Sequence, residues 1–261
     1  MGERDLPAFI DFILETTGFK QLSYVGHSEG TTQMFLGASL QPEYFKEKIN
    51  LFVALAPVAN TAHTTSTFFK AASAHVSLIK FVLIRVLNIR CWIPSSLASY
   101  DKALVAACGE KYASQCAQAA SFMFSRLGIH DQLDEASRLP LIIAGAPAGS
   151  GYRTFLYYAQ MTNDQRYSLY DYGRVKNNQI YGQKYAPLVP IENLDIPVAL
   201  FSGSQDTVGD PEDVAFISAK LGDKVVYQKE YYLNHYSFVL AKDMSWFEDV
   251  IDLIGQYNVI E

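Results

Sequence analysis

The sequence is short of charge, and of positive charge in particular. Only 18% of its 261 residues are charged, and 27 acidic side chains outnumber 21 Lys and Arg, for a formal net charge of −6. No basic stripe is present to displace phosphate counterions, which argues against a nucleic-acid partner and, for the same reason, against anionic membrane surfaces. Long hydrophobic runs are also lacking. The most apolar stretch, Ile79–Ile89, is broken by Lys80 and Arg85 and is too short to span a bilayer. Residues 1–5 are polar, so no basic segment leads into an apolar run as a secretory signal requires. No Asn-x-Ser/Thr sequon occurs, and nothing in the residues alone fixes a compartment. The three cysteines, Cys91, Cys108 and Cys116, match no zinc spacing. Cys108 and Cys116 can close a short disulfide loop with Cys91 left free; three buried thiols fit equally well. No metal and no cofactor is implied.

What is present is apolar mass. Hydrophobic residues make up 49% of the chain, enough to bury the core of one large or two modest domains. Residues 5–18 carry Leu6, Phe9, Ile10, Phe12, Ile13 and Leu14 at helical spacing, closed by Gly18. A strand-length run, 22–25, leads into Gly26-His27-Ser28-Glu29-Gly30, and residues 31–40 again read as helix. The run Ile49–Val58 suits a strand buried on both faces. Strand, helix, strand in succession predicts a right-handed crossover and a parallel sheet. From about 60 to 187 the spacing is helical, with a turn-rich break at Ala144–Gly151 and a Tyr/Phe cluster at 152–187. Strand texture returns at 196–201 and 224–228, with a helix between them opened by Asp210 as N-cap and Pro211. Residues 243–256 form a closing amphipathic helix. The expected organisation is an α/β core over 1–59 and 188–261, interrupted by a helical cap over 60–187.

The chemistry centres on the pentapeptide. A serine hydroxyl is a weak nucleophile until a base takes its proton, and it must stand clear of the sheet. A sharp strand-to-helix turn achieves this, provided the residues two positions either side are small. Gly26-x-Ser28-x-Gly30 falls at such a junction, which makes Ser28 the candidate nucleophile. The base should be one of five histidines. His27 adjoins the nucleophile and reads as a support. His63, His75 and His130 lie in the insertion. His235 follows the last strand, in the order Ser, acid, His that this arrangement uses, and is the candidate base. The acid belongs on the loop after strand 196–201. Asp210 is accounted for as an N-cap, so Asp206 is the candidate, holding the imidazole tautomer. One oxyanion donor is the backbone N–H of Glu29.

These residues resemble the acid lipases, the group of gastric and lysosomal lipases. The matching stretches are Leu6–Leu14, Leu22–Gln33, Ala54–Ala59, Ala146–Ser150, Asp206 with Asp210–Val214, and Asn234-His235 with Phe238. They run in family order from end to end, more loosely between about 60 and 140. The resemblance implies an α/β-hydrolase fold and an esterase acting at a lipid–water interface on triacylglycerols or sterol esters, in a secreted or lysosomal setting. It implies the triad Ser28, Asp206 and His235 under a helical cap, and a cap disulfide at Cys108 and Cys116. The family carries Gln where this chain has Glu29. Four core strands are about half of a complete sheet of this type. The expectation is therefore the carboxyl-terminal part of the fold, with the first strands and the second oxyanion donor lying before residue 1. Two other readings stay open on the residues: an inactive relative kept as an interaction module, and a hydrolase of soluble esters or thioesters.

Overall fold

Two apolar segments set the centre of the sheet. Residues 51–55 and 198–203 are buried at every position, as strands covered on both faces must be. The computed structural model describes residues 1–86, 91–92, 115, 132–138 and 150–258. In chain order the elements are α1 (Asp5–Thr17), β1 (Leu22–His27), α2 (Glu29–Leu40), α3 (Pro42–Lys48) and β2 (Ile49–Leu55). Next come α4 (Thr67–Ala74), α5 (Val76–Lys80) with a π-helical turn at Phe81–Val86, β3 (Cys91–Trp92), β4 (Ser150–Gly151), α6 (Tyr152–Asp164) and α7 (Arg174–Tyr181). The chain closes with β5 (Val198–Gly203), α8 (Pro211–Leu221), β6 (Val225–Tyr231), α9 (Ser237–Leu240) and α10 (Trp246–Tyr257).

The main sheet has the order β1-β2-β5-β6, and every pairing in it is parallel. Its register aligns His27 with Leu55, Leu55 with Phe201, and Gly203 with Tyr231. The strands therefore end at one edge, and the loops that follow β1, β5 and β6 open side by side there. Ligands of open α/β sheets bind at this carboxyl edge.

Alternation along the strands divides the core in two. Phe52, Ala54, Val198 and Leu200 face one layer, packed by Leu6, Ile10 and Leu14 of α1, Met34 and Phe35 of α2, and Val214 and Ile217 of α8. Leu51, Val53, Ala199 and Phe201 face the other, against Phe238 of α9 and Trp246, Val250 and Leu253 of α10. Phe201 stacks on Tyr227 and Tyr231 with ring centroids 5.0 and 5.7 Å away. A fully buried side chain of this size contributes about 1.5–3 kcal/mol.

The helix ends follow local rules. Gly18 stops α1 at φ 77°, its N–H returning to Leu14 O at 2.9 Å. The Asp210 side chain accepts from the Glu212 N–H at 3.0 Å, and Pro211 fills the first position of α8. Two features depart from the sequence reading. α3 is too short, and buries too little beyond Phe45, to show a helical period. β3 and β4 form a two-residue antiparallel ladder where no strand is expected, a length at which alternation cannot be seen. The turn at 144–149 and the cysteines Cys108 and Cys116 lie outside the described residues. Among the described residues, no helix is long and apolar enough to cross a membrane, and no group of His, Cys, Asp and Glu could hold a metal ion.

Candidate active site

The turn after β1 is strained, and the strain is local. Ser28 sits at φ 54°, ψ −116°, a region that costs a non-glycine residue about 1–3 kcal/mol. Compensating contacts hold it there. The Ser28 N–H donates to Leu55 O on the neighbouring strand at 3.1 Å. The Ser28 carbonyl accepts from the Thr31 N–H at 2.9 Å and from the Thr31 hydroxyl at 2.5 Å. The two glycines of the pentapeptide are not equivalent. A Cβ on Gly26 would lie 2.8 Å from Tyr24 Cε1 and 2.9 Å from the Gly30 carbonyl carbon, an impossible approach. A Cβ on Gly30 would meet only the Tyr24 hydroxyl, at 3.4 Å.

Asp206 and His235 come to the same edge on the loops after β5 and β6. His235 Nε2 lies 2.7 Å from Ser28 Oγ, and its Nδ1 lies 2.8 Å from Asp206 Oδ2. A carboxylate can only accept, so the proton sits on Nδ1 and Nε2 is left to accept from the serine hydroxyl. Asp206 and His235 are only 3% and 4% exposed, so little water competes for these bonds. The second carboxylate oxygen of Asp206 accepts from the N–H groups of Val208 and Gly209 at 2.8 and 2.9 Å. Burial pushes the Asp206 carboxyl up, but His235 and these two N–H donors outweigh it and hold it below the usual carboxylate range.

His27 supports the arrangement from β1. Its Nε2–H donates to the carbonyl of His235 at 2.8 Å. Burial, and then the neighbouring His235, push the His27 imidazole down to about 4. It therefore stays neutral where an exposed histidine would charge.

Glu29 opens α2, and among the described residues its N–H finds no backbone acceptor. It is one of the orphan donors at the positive end of a helix, one residue from Ser28. Burial pushes its carboxyl up. A cavity of about 220 Å³ opens on Ser28 between apolar walls of Val58, Phe69, Phe155, Tyr158 and Val208. Glu29, Thr154 and Tyr158 separate it from a larger groove of about 420 Å³ rich in tyrosine.

Lipase member K of Mus musculus is 33% identical over 245 residues, which cover 93% of this chain and 59% of that protein. Gastric triacylglycerol lipase of Homo sapiens is 31% identical over 259 residues, covering 98% of this chain and 63% of that one. Over nearly its whole length the chain is thus similar to lipases of the gastric and lysosomal acid lipase group. It spans about 60% of the length of these relatives. A soluble variant of monoglyceride lipase from Saccharomyces cerevisiae aligns with a TM-score of 0.54 at 17% identity, over 99% of this chain and 70% of that one. Together with the four-stranded parallel sheet, that likeness gives the α/β-hydrolase fold. No protein-family model matches the chain.

Of the candidate residues in this acid lipase relative, Ser28, Asp206 and His235 share one hydrogen-bonded chain, with Glu29 beside it. His63 is elsewhere, its Nδ1 2.8 Å from Asp213. His130 lies outside the described residues. Two glycines escape a reading by sequence. A Cβ on Gly203 would lie 2.4 Å from Leu233 O, and one on Gly209 would lie 2.7 Å from Pro57 O and 3.1 Å from Asp206 Oδ2. Both let the loop that carries Asp206 close on its neighbours. Their only local signal is a glycine on each side of Asp206.

Proposed function

We propose that this chain carries the catalytic relay of a serine carboxylic-ester hydrolase acting on neutral lipid esters, triacylglycerols or sterol esters. The observation that carries the reading is the continuous bonding of Ser28 Oγ to His235 Nε2, and of His235 Nδ1 to Asp206, at 2.7 and 2.8 Å. In this reading Ser28 Oγ attacks the ester carbonyl carbon while His235 Nε2 takes its proton. Asp206 fixes the tautomer and stabilises the imidazolium. The tetrahedral oxyanion turns to the N–H of Glu29 at the start of α2. As the intermediate collapses, His235 returns the proton to the departing alcohol, leaving an acyl group on Ser28. Water, activated by His235, then releases the fatty acid.

The substrate class rests on the family and on the apolar walls beside Ser28. Residues 60–187 act as a cap over that cavity, through which a lipid–water interface delivers substrate. The family also favours a secreted or lysosomal setting. The test is hydrolysis of emulsified trioleoylglycerol and cholesteryl oleate, compared with p-nitrophenyl acetate. Faster release from the long-chain esters, abolished in Ser28→Ala, is expected. Turnover of the acetate alone would move the substrate to soluble esters. A rate equal to that of Ser28→Ala on every ester would overturn the reading.

A further inference from the structure

We propose that Asp134, contributed by the insertion between β2 and β5, is a positioning residue that holds the His235 loop in line with Ser28 and Asp206. The proposal rests on the reading of His235 as the base.

Asp134 is 1% exposed, although it lies 100 residues before the loop it touches. Its Oδ2 accepts from Asn234 Nδ2–H at 2.9 Å and its Oδ1 from the Ser237 hydroxyl at 2.6 Å. The Ser237 oxygen in turn accepts from the Asn234 N–H at 3.1 Å. The Asn234 side-chain oxygen accepts from the N–H groups of Tyr236 and Ser237 at 2.8 and 3.0 Å. His235 is thus enclosed in sequence by two residues that share one buried carboxylate. The bond to Asp134 also orients the Asn234 amide. With Nδ2 turned to the carboxylate, Oδ1 is left to gather the two N–H groups that shape the turn after His235.

The backbone repeats the connection. Asp134 forms an antiparallel bridge with Ala241, the Glu135 N–H donates to Leu240 O at 2.7 Å, and the Lys242 N–H donates to Leu133 O at 2.8 Å. Arg138 Nη1 donates to the carbonyl of Ala241 at 2.9 Å. From the opposite side, His27 holds the His235 carbonyl. The base is therefore gripped from β1 and from the insertion. A buried carboxylate carries a desolvation cost that an apolar side chain at the same place avoids. Its hydrogen bonds fix the Asn234 amide and the Ser237 hydroxyl. Removing it leaves both donors buried without this acceptor, and they rearrange in the turn that carries the imidazole. A displacement of about 1 Å at a reacting group is enough for a rate loss of about 100-fold. In this account the insertion sets the base as well as covering the site.

The test uses the full chain with Asp134→Ala, Asp134→Asn and Ser237→Ala. Three quantities are measured: the rate at which a fluorophosphonate labels Ser28, the kcat and KM for ester hydrolysis, and the low-field proton resonance of His235 Nδ1–H. In Asp134→Ala the labelling rate and kcat should fall by about 10- to 100-fold with KM little changed, and the resonance should broaden or vanish. Asp134→Asn, which keeps an acceptor for Ser237, should recover part of each loss. A folded Asp134→Ala with the wild-type labelling rate and an unaltered resonance would overturn the proposal. If that variant does not fold, Ser237→Ala decides by the same readouts. If the wild type itself resists labelling, the hydrolase reading fails. The resonance still shows whether Asp134 positions His235.

Discussion

Acid should destabilise this fold through His27, and the size of the effect follows from its burial. The imidazole is neutral between β1 and His235, with a value pushed down to about 4 from the ordinary 6.5. Below pH 6.5 the unfolded chain takes up a proton that the folded chain refuses. Stability therefore falls as pH drops from about 6.5 to about 4, and this contribution is exhausted below that. The gap corresponds to about 3 kcal/mol, a large share of the total for a chain of this size. The perturbation is His27→Gln, whose amide can still donate to the His235 carbonyl but cannot charge. Urea denaturation at pH 7, 6, 5 and 4, followed by tryptophan fluorescence, gives both curves. Carboxyl groups act in the same pH range. Glu29 and Asp213, both pushed up by burial, gain stability on acidification, whereas Asp206, held low, loses it only as pH falls below the usual carboxylate range. The difference between wild type and variant cancels these contributions. It should shrink by about 3 kcal/mol between pH 7 and pH 4. Parallel stability curves would refute the account of His27 as a buried neutral support.

Gly26→Ala should lower stability by about 1–3 kcal/mol, because its methyl has nowhere to go, and Gly30→Ala by less; thermal melts of the two variants make the comparison. Asp213, first by its hydrogen bond, raises the His63 imidazole, so the pair stabilises fully below about pH 6.5 and fades as pH rises through the folded value. The stability difference between wild type and His63→Ala should accordingly diminish from pH 6 to pH 9, and stay below about 1 kcal/mol because His63 is half exposed. Asp206→Asn keeps the acceptor for Val208 and Gly209 but cannot fix the imidazole tautomer; steady-state kinetics should show kcat reduced about ten-thousand-fold, with a melting temperature near wild type.

The centre of the fold was legible because burial writes itself into composition. β2 and β5 are covered on both faces, and apart from Asn50 and Ser202 their sequences are apolar runs. The flanking strands read short. β1 extends through Gly26-His27, a glycine and a histidine that carry no strand signal, and β6 through Lys229-Glu230-Tyr231, where the exposure of Lys229 and Glu230 allows polar residues. Ser28 was legible for a different reason. Its strained backbone demands small neighbours within two residues, so the constraint is local and visible. The chain order of Ser28, Asp206 and His235 then narrowed the choice of partners. Contacts between distant segments left no such trace. Gly203 meets Leu233 across 30 residues and Asp134 meets Asn234 across 100, and neither pair has a spacing that marks it. Glu29 could be noted as unusual in its motif. Its place between two cavities is a property of packing alone.

The most direct test of the central claim is covalent. A fluorophosphonate requires a serine activated by a neighbouring imidazole, and it reports that activation whatever the natural ester is. Incubating the folded chain with the probe and mapping the adduct by mass spectrometry should place one phosphonyl group on Ser28. The adduct should be absent in Ser28→Ala and formed far more slowly in His235→Ala. A folded wild-type chain that takes no label, or takes it at another serine, would contradict the assignment of Ser28, His235 and Asp206 as a working relay.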